Sequence, residues 1–106
     1  MNSVLINNDQ ISATYFDQAN TLKQRNQLEQ AITAYHQAIN AKPNFSWYHH
    51  NLGETLAQFG QVQEAIASYQ KACELNPNSA WSYYNLGELL EQQGRLPEAL
   101  DAYRRA

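Results

Sequence analysis

A period of 34 residues runs through this chain and limits its possible folds more than any other property. Ala31, Ala65 and Ala99 stand 34 residues apart, and Tyr35, Tyr69 and Tyr103 keep the same interval. Ala38, Ala72 and Ala106 form a third column, Leu22, Leu56 and Leu90 a fourth, and Pro43 with Pro77 a fifth. Asn26, Gly60 and Gly94 complete the series. Six columns in one register leave little room for coincidence. A period of this length means that one supersecondary unit is repeated, and such a unit cannot bury its apolar face without a neighbour. The chain must be a stack.

Spacing inside each unit predicts two helices. In the second unit, residues 46–59 place Leu52, Leu56 and Phe59 at helical intervals. Residues 63–75 then place Ala65, Ile66, Tyr69, Ala72 and Cys73 on one face. Gly60 supplies the left-handed residue that ends the first helix, a role shared by Asn26 and Gly94. Asn76-Pro77-Asn78 stops the second, because proline cannot continue a helix and restricts the residue before it. Ser46 and Ser79 are the expected N-caps of the following hairpins, and Ser12 that of the first. Gly53 and Gly87, with Ala19 in their column, mark where the first helix closely approaches the second. Ala31, Ala65 and Ala99 are the expected matching sites, with Tyr35, Tyr69 and Tyr103 wedged between adjacent hairpins.

The string His49-x-x-Leu52-Gly53-x-x-Leu56, followed by Ala65, Tyr69, Ala72 and Pro77, resembles the tetratricopeptide repeat. Tyr83-x-x-Leu86-Gly87-x-x-Leu90 with Ala99 and Tyr103 is similar to it in the same way. The first unit departs from the pattern at Gln18 and Ala19, which replace the Leu-Gly pair, but keeps Ala31, Tyr35, Ala38 and Pro43. The resemblance runs from Ser12 to Ala106. It implies an all-α fold, a right-handed α-solenoid of three helix-turn-helix hairpins over residues 12–45, 46–79 and 80–106, the last one truncated. Residues 1–11 are expected to form a tail or a partial helix, since Val4 and Leu5 stand one repeat before Ala38 and Ile39. Because the third unit stops short of the expected proline, the chain is expected to be a piece of a longer protein.

Composition narrows the function. With 43% hydrophobic and 16% charged residues and a net charge of −3, the chain has no basic footprint for nucleic acid or an anionic membrane. Arg104 and Arg105, the one basic pair, end a helix where the dipole favours cations. No apolar run reaches the length of a membrane span, and the first ten residues lack a signal-peptide pattern. The single Cys73 excludes an internal disulfide and fits a reducing, cytoplasmic setting.

The resemblance further implies that the first helix of each hairpin lines a concave groove. Its stripe at i, i+4, i+7 and i+11 reads Trp47, Asn51, Glu54, Gln58 in the second unit and Trp81, Asn85, Glu88, Gln92 in the third. In the first unit it reads Ala13, Asp17, Asn20, Gln24. Asn51 and Asn85, with Asp17 in their column, resemble the asparagine ladder of the O-linked GlcNAc transferase repeats, which grips a peptide backbone. A carboxamide carries both donor and acceptor and can pair with both groups of a peptide unit. Trp47, Trp81 and Tyr84 offer stacking area at small entropic cost. His50 and Asn20 complete the candidate face, and Glu54 and Glu88 oppose a strongly acidic ligand. A plainer reading has the asparagines bonding to neighbouring helices and the tryptophans filling gaps with one edge exposed. The carboxylate clamp of the chaperone-tail type fits poorly. Asn20 and Asn51 match its asparagines, but Phe16, Trp81 and Asn85 stand where it requires cations.

Catalytic and metal chemistry finds little support. His49 and His50 point about 100° apart on a helix, and His50 with Glu54 gives two metal ligands without a third. His36 is expected in solvent, Cys73 falls in an apolar column as an inert thiol, and Glu91 with Arg95 is at most a surface ion pair. There is no phosphate loop and no nucleophile elbow. No cofactor and no metal are therefore expected. The expected function is a non-enzymatic scaffold that binds a protein or extended peptide in its groove. The rivals are self-association into a homo-oligomer through open solenoid ends, and a substrate-presenting arm of a larger bacterial transferase.

Overall fold

Capping chemistry decides where the first helix begins. Asn7 accepts a hydrogen bond from the Gln10 backbone N–H at 2.9 Å, and the Gln10 side chain accepts one from the Asn7 N–H at 3.1 Å. This reciprocal pair satisfies two of the free donors at a helix start. In the computed structural model, which describes residues 7–106, α1 accordingly spans Asn8–Gln24. Ser12, expected at the cap, lies a full turn inside the helix, fully buried, with its hydroxyl donating to the Asp9 carbonyl at 3.0 Å. Residues 8–11 of the expected tail thus belong to α1, and the comparison of Val4 and Leu5 with Ala38 and Ile39 lies outside the described residues.

Five further helices follow: α2 (Leu28–Ala41), α3 (Ser46–Phe59), α4 (Val62–Leu75), α5 (Ala80–Gln92) and α6 (Leu96–Arg105), with no strand among the described residues. The turn inside each hairpin uses the expected left-handed residue, with φ of 60° at Asn26, 91° at Gly60 and 76° at Gly94. Helices α2 and α4 end two residues before Pro43 and Pro77. Ser79 caps α5 by accepting from the Ser82 N–H. Ser46 does not cap α3. The cap position falls to Phe45, which makes no side-chain cap bond and instead packs edge-on against Tyr48, ring centres 4.7 Å apart.

The small-residue columns govern the packing within hairpins. A Cβ placed on Gly53 would lie 3.2 Å from the Tyr69 ring, and one on Gly87 would lie 2.7 Å from that of Tyr103. The surface nearest each glycine is the tyrosine ring of its own hairpin, and Ala65 and Ala99 are buried in the same hairpins. Tyr35 is fully buried and donates to Asn20 Oδ1 of its own hairpin at 2.6 Å. The tyrosines thus help to close their own hairpins. Leu52, Leu56, Leu86 and Leu90 join them in one continuous core, and each buried leucine contributes about 2 kcal/mol.

Each second helix packs on the next first helix, α2 on α3 and α4 on α5. The first helices also meet side by side. Tyr48 of α3 donates to Ser12 of α1, Lys23 of α1 pairs with Glu54 of α3, and His50 of α3 bonds Ser82 of α5. Odd helices form one layer and even helices the other. The radius of gyration is 15.0 Å with extents of 60 × 28 × 16 Å, against about 13 Å for a compact chain of this length. The molecule is a short rod, and its odd-helix layer is a long open face.

Candidate functional site

On that face the repeat brings Trp47 and Trp81 to equivalent places at the starts of α3 and α5, 46% and 64% exposed. Between them lies His50, 2% exposed. Its ring stacks on Trp47 at 4.8 Å with 4° between the planes, and it meets Trp81 and Tyr69 edge-on at 6.3 and 5.3 Å. Its Nδ1 shares a hydrogen bond with Ser82 Oγ at 2.9 Å, and Ser79 Oγ donates to the same hydroxyl at 3.0 Å. Burial lowers the pKa of His50, and the Lys23 charge lowers it further. Counted on sequence among the groove residues, His50 is instead the buried filler that holds the two indoles apart. Tyr84, 51% exposed, extends the aromatic surface towards Tyr103, whose ring centre is 5.8 Å away.

The polar residues of the stripe divide into those already engaged and those open. Asn20 accepts from Tyr35. Asn51, 9% exposed, donates through Nδ2 to the Trp47 carbonyl of its own helix at 2.8 Å. Glu54 pairs with Lys23. Asn85 and Glu88 are half-buried, and their side chains engage no other described side chain through a hydrogen bond or ion pair. Asp17 is exposed but stands apart from the tryptophans, in a shallow depression with Thr14, Gln18, Thr21 and Leu22. The structure therefore gathers Trp47, Trp81, Tyr84, Asn51, Asn85 and Glu88 along α3 and α5, and leaves Asp17 to one side.

Three contributors were not anticipated: Lys23, Ser82 and the Ser12–Tyr48 pair. Glu91 and Arg95 do not pair with one another. Glu91 accepts from the Tyr103 hydroxyl at 2.7 Å, a bond that with burial pushes the phenol up to about 12. Arg95 instead grips Glu98 through two bonds of 2.9 and 2.6 Å. His50 and Glu54, the one metal pair considered, are each occupied by a different neighbour, and among the described residues no three His, Cys, Asp or Glu side chains gather in metal-binding range. Cys73 is buried, and burial pushes its thiol up to about 11, far from the thiolate a nucleophile needs. No described helix is long and apolar enough to cross a membrane.

The model of the TPR repeat matches residues 19–60 and 56–94. Among solved structures, the crystal structure of MamA aligns with a TM-score of 0.86 at 21% identity over 89% of this chain. The chain spans about half of MamA, 55% of its length. The second TPR of Spaghetti (RPAP3), bound to the HSP90 peptide SRMEEVD, aligns with a TM-score of 0.86 at 20% identity, covering 92% of this chain and 91% of that one. The first TPR of the same protein, bound to the same peptide, gives 0.86 at 20% identity over 91% and 76%. At such identities the likeness is one of fold. Curated protein sequences gave no match.

Proposed function

Because the chain belongs to the tetratricopeptide-repeat family, we propose that it is a non-catalytic module that binds an extended segment of another protein along its odd-helix face. The observation that carries this reading is the repeated exposure of Trp47 and Trp81, two large aromatic side chains left 46% and 64% uncovered in the same column of successive hairpins. Exposed aromatics of this size are what interfaces use as anchors. Asn85 beside them offers a donor and an acceptor to a passing peptide unit, and Asn51 keeps its carbonyl and one N–H for the same purpose. The Spaghetti domains, which hold a peptide, share the fold. The acidic peptide they hold does not transfer, because Trp81, Asn85 and Phe16 stand here at the positions where the carboxylate clamp needs cations. A reducing, cytoplasmic setting suits the buried free thiol of Cys73.

Panning a random-peptide library on the folded chain tests the reading. Enriched peptides should lose at least about tenfold in affinity on the Trp47→Ala, Trp81→Ala double variant, as anchor residues do, with helix content by circular dichroism retained. Equal affinity for that variant defeats it. A second reading, self-association end to end, draws on Leu96 and Leu100, which are 55% and 54% exposed on α6. Light scattering over a concentration series decides it, a strict monomer excluding that mode.

A further inference from the structure

The two junctions between successive odd helices differ in one charge, and the difference assigns a ligand chemistry. At the first junction, Lys23 of α1 reaches across to Glu54 of α3 and neutralises it. One repeat on, the carboxylate returns as Glu88, but the column of Lys23 holds Ala57. No described cation pairs with Glu88. The helices α1, α3 and α5 together carry Asp9, Asp17, Glu54, Glu88 and Glu91 against Lys23 alone. Of these carboxylates, Glu54 is answered by Lys23 and Asp9 by Lys42, the residue after α2, while Glu91 accepts from Tyr103. Asp17 and Glu88 remain without a described counter-ion, and Glu88, the half-buried one, stands in the same stripe as the 64% exposed indole of Trp81. The charge of Glu88 also reaches the interior. Tyr69 is pushed up to about 12, first by burial and then by that carboxylate.

We infer that Glu88 takes a lysine or arginine side chain of the bound segment, which fills the place that Lys23 occupies one repeat earlier. The inference rests on the peptide-binding reading and adds the charge of the partner. A half-buried carboxylate without a counter-ion gains from an ammonium or guanidinium, whose bonds to carboxylate are stronger than neutral ones. Alanine in the column of Lys23 leaves that carboxylate without the side chain that covers Glu54 one repeat earlier. Trp81, two turns or about 11 Å up the same stripe, supplies an aromatic surface for another residue of the same segment. Partner segments should thus be basic, the reverse of the acidic peptide held by the Spaghetti domains.

The test uses peptides recovered from the random library and measures their affinity for the 106-residue chain by fluorescence anisotropy. The recovered set should be enriched in Lys and Arg over the input. Glu88→Gln should weaken the best basic binder by about five- to tenfold, a loss that shrinks as added salt screens the pair. Ala57→Lys installs the missing counter-ion and should weaken it at least as much, while Lys23→Met frees Glu54 and should strengthen it. Circular dichroism on each variant keeps a folding defect from passing as a binding one. Neutral or acidic binders that ignore Glu88→Gln overturn the assignment and leave the peptide-binding reading standing. A library that yields no binder at all overturns both.

Discussion

The two junctions between hairpins occupy the same columns of the repeat and are held by different chemistry. At the first, the ring of Phe16 lies 4.9 Å from that of Tyr48, the Tyr48 hydroxyl donates to the buried Ser12, and Lys23 closes over Glu54. At the second, the column of Phe16 carries His50 and the column of Tyr48 carries Ser82, so an aromatic contact is replaced by one hydrogen bond of 2.9 Å. The exposed Trp81 then leans edge-on over His50. Within the second and third hairpins the packing recurs: a glycine against the tyrosine ring, with leucines in the core beneath. Repeat units touch only their neighbours, so each junction needs to fit nothing but itself. The hairpin columns must be shared, and the junction columns can be specialised. The second junction is the one specialised towards solvent, and there the aromatic and unpaired groups collect.

Truncation should expose this asymmetry most strongly. Tyr48 is 5% exposed and packs between Phe16 and Phe45, so Tyr48→Ala removes a large buried ring and leaves Ser12 without its partner. A loss of about 3–5 kcal/mol is expected in denaturant-induced unfolding. Ser82→Ala at the equivalent place removes one hydroxyl and should cost only about 1–2 kcal/mol. Equal losses at the two positions would mean that the junctions are energetically alike, and the comparison would fall.

The uneven legibility of the sequence follows the same division. Columns 34 residues apart announced the hairpins, the left-handed Asn26, Gly60 and Gly94, and the buried Ala and Tyr faces, because those contacts lie inside one unit and recur in each. The junction contacts join Phe16 to Tyr48 and His50 to Ser82, 32 residues apart, and Lys23 to Glu54, 31 apart. Those offsets come from the stagger between hairpins, a tertiary quantity that the period does not contain. Hence Glu54 and His50 read as groove residues until the structure placed Lys23 on one and Ser82 on the other. The cap at Asn7 is a different kind of miss. Its partner Gln10 stands three residues on, the spacing of a capping box, and the signal was present in the chain. Ser12 drew the cap assignment because the repeat phase pointed to it, and local chemistry outweighed the phase.

Acid should weaken the second junction and spare the first. His50 is enclosed by Trp47, Tyr69, Trp81 and Ser82, and its pKa is lowered from 6.5, by burial first and by Lys23 second. The folded state therefore disfavours the charged ring, and below 6.5 the unfolded chain binds more protons than the folded one. Stability is fully present above that value and declines as pH falls from 6.5 towards the lowered folded pKa. The denaturation midpoint should drop across this window, and His50→Gln should flatten that part of the profile. A wild-type profile that stays level from pH 7 to about 5 would show that the imidazole is not sealed by its neighbours.

The smallest effect is expected at the most conspicuous charge contact. Lys23 and Glu54 form the one ion pair between odd helices among the described residues, with side chains 19% and 39% exposed. Burial holds the Lys23 ammonium below its usual pKa, so desolvation offsets much of the attraction. Lys23→Met keeps most of the stem that packs across the junction and deletes only the charge. The expected loss is at most about 1 kcal/mol, smaller still in high salt. A loss of about 3 kcal/mol that salt leaves unchanged would show that the pair holds the junction as firmly as the Tyr48 ring does. The position of Ala57 would then have to be read as a stability defect in the second junction, rather than as a vacancy left for a guest.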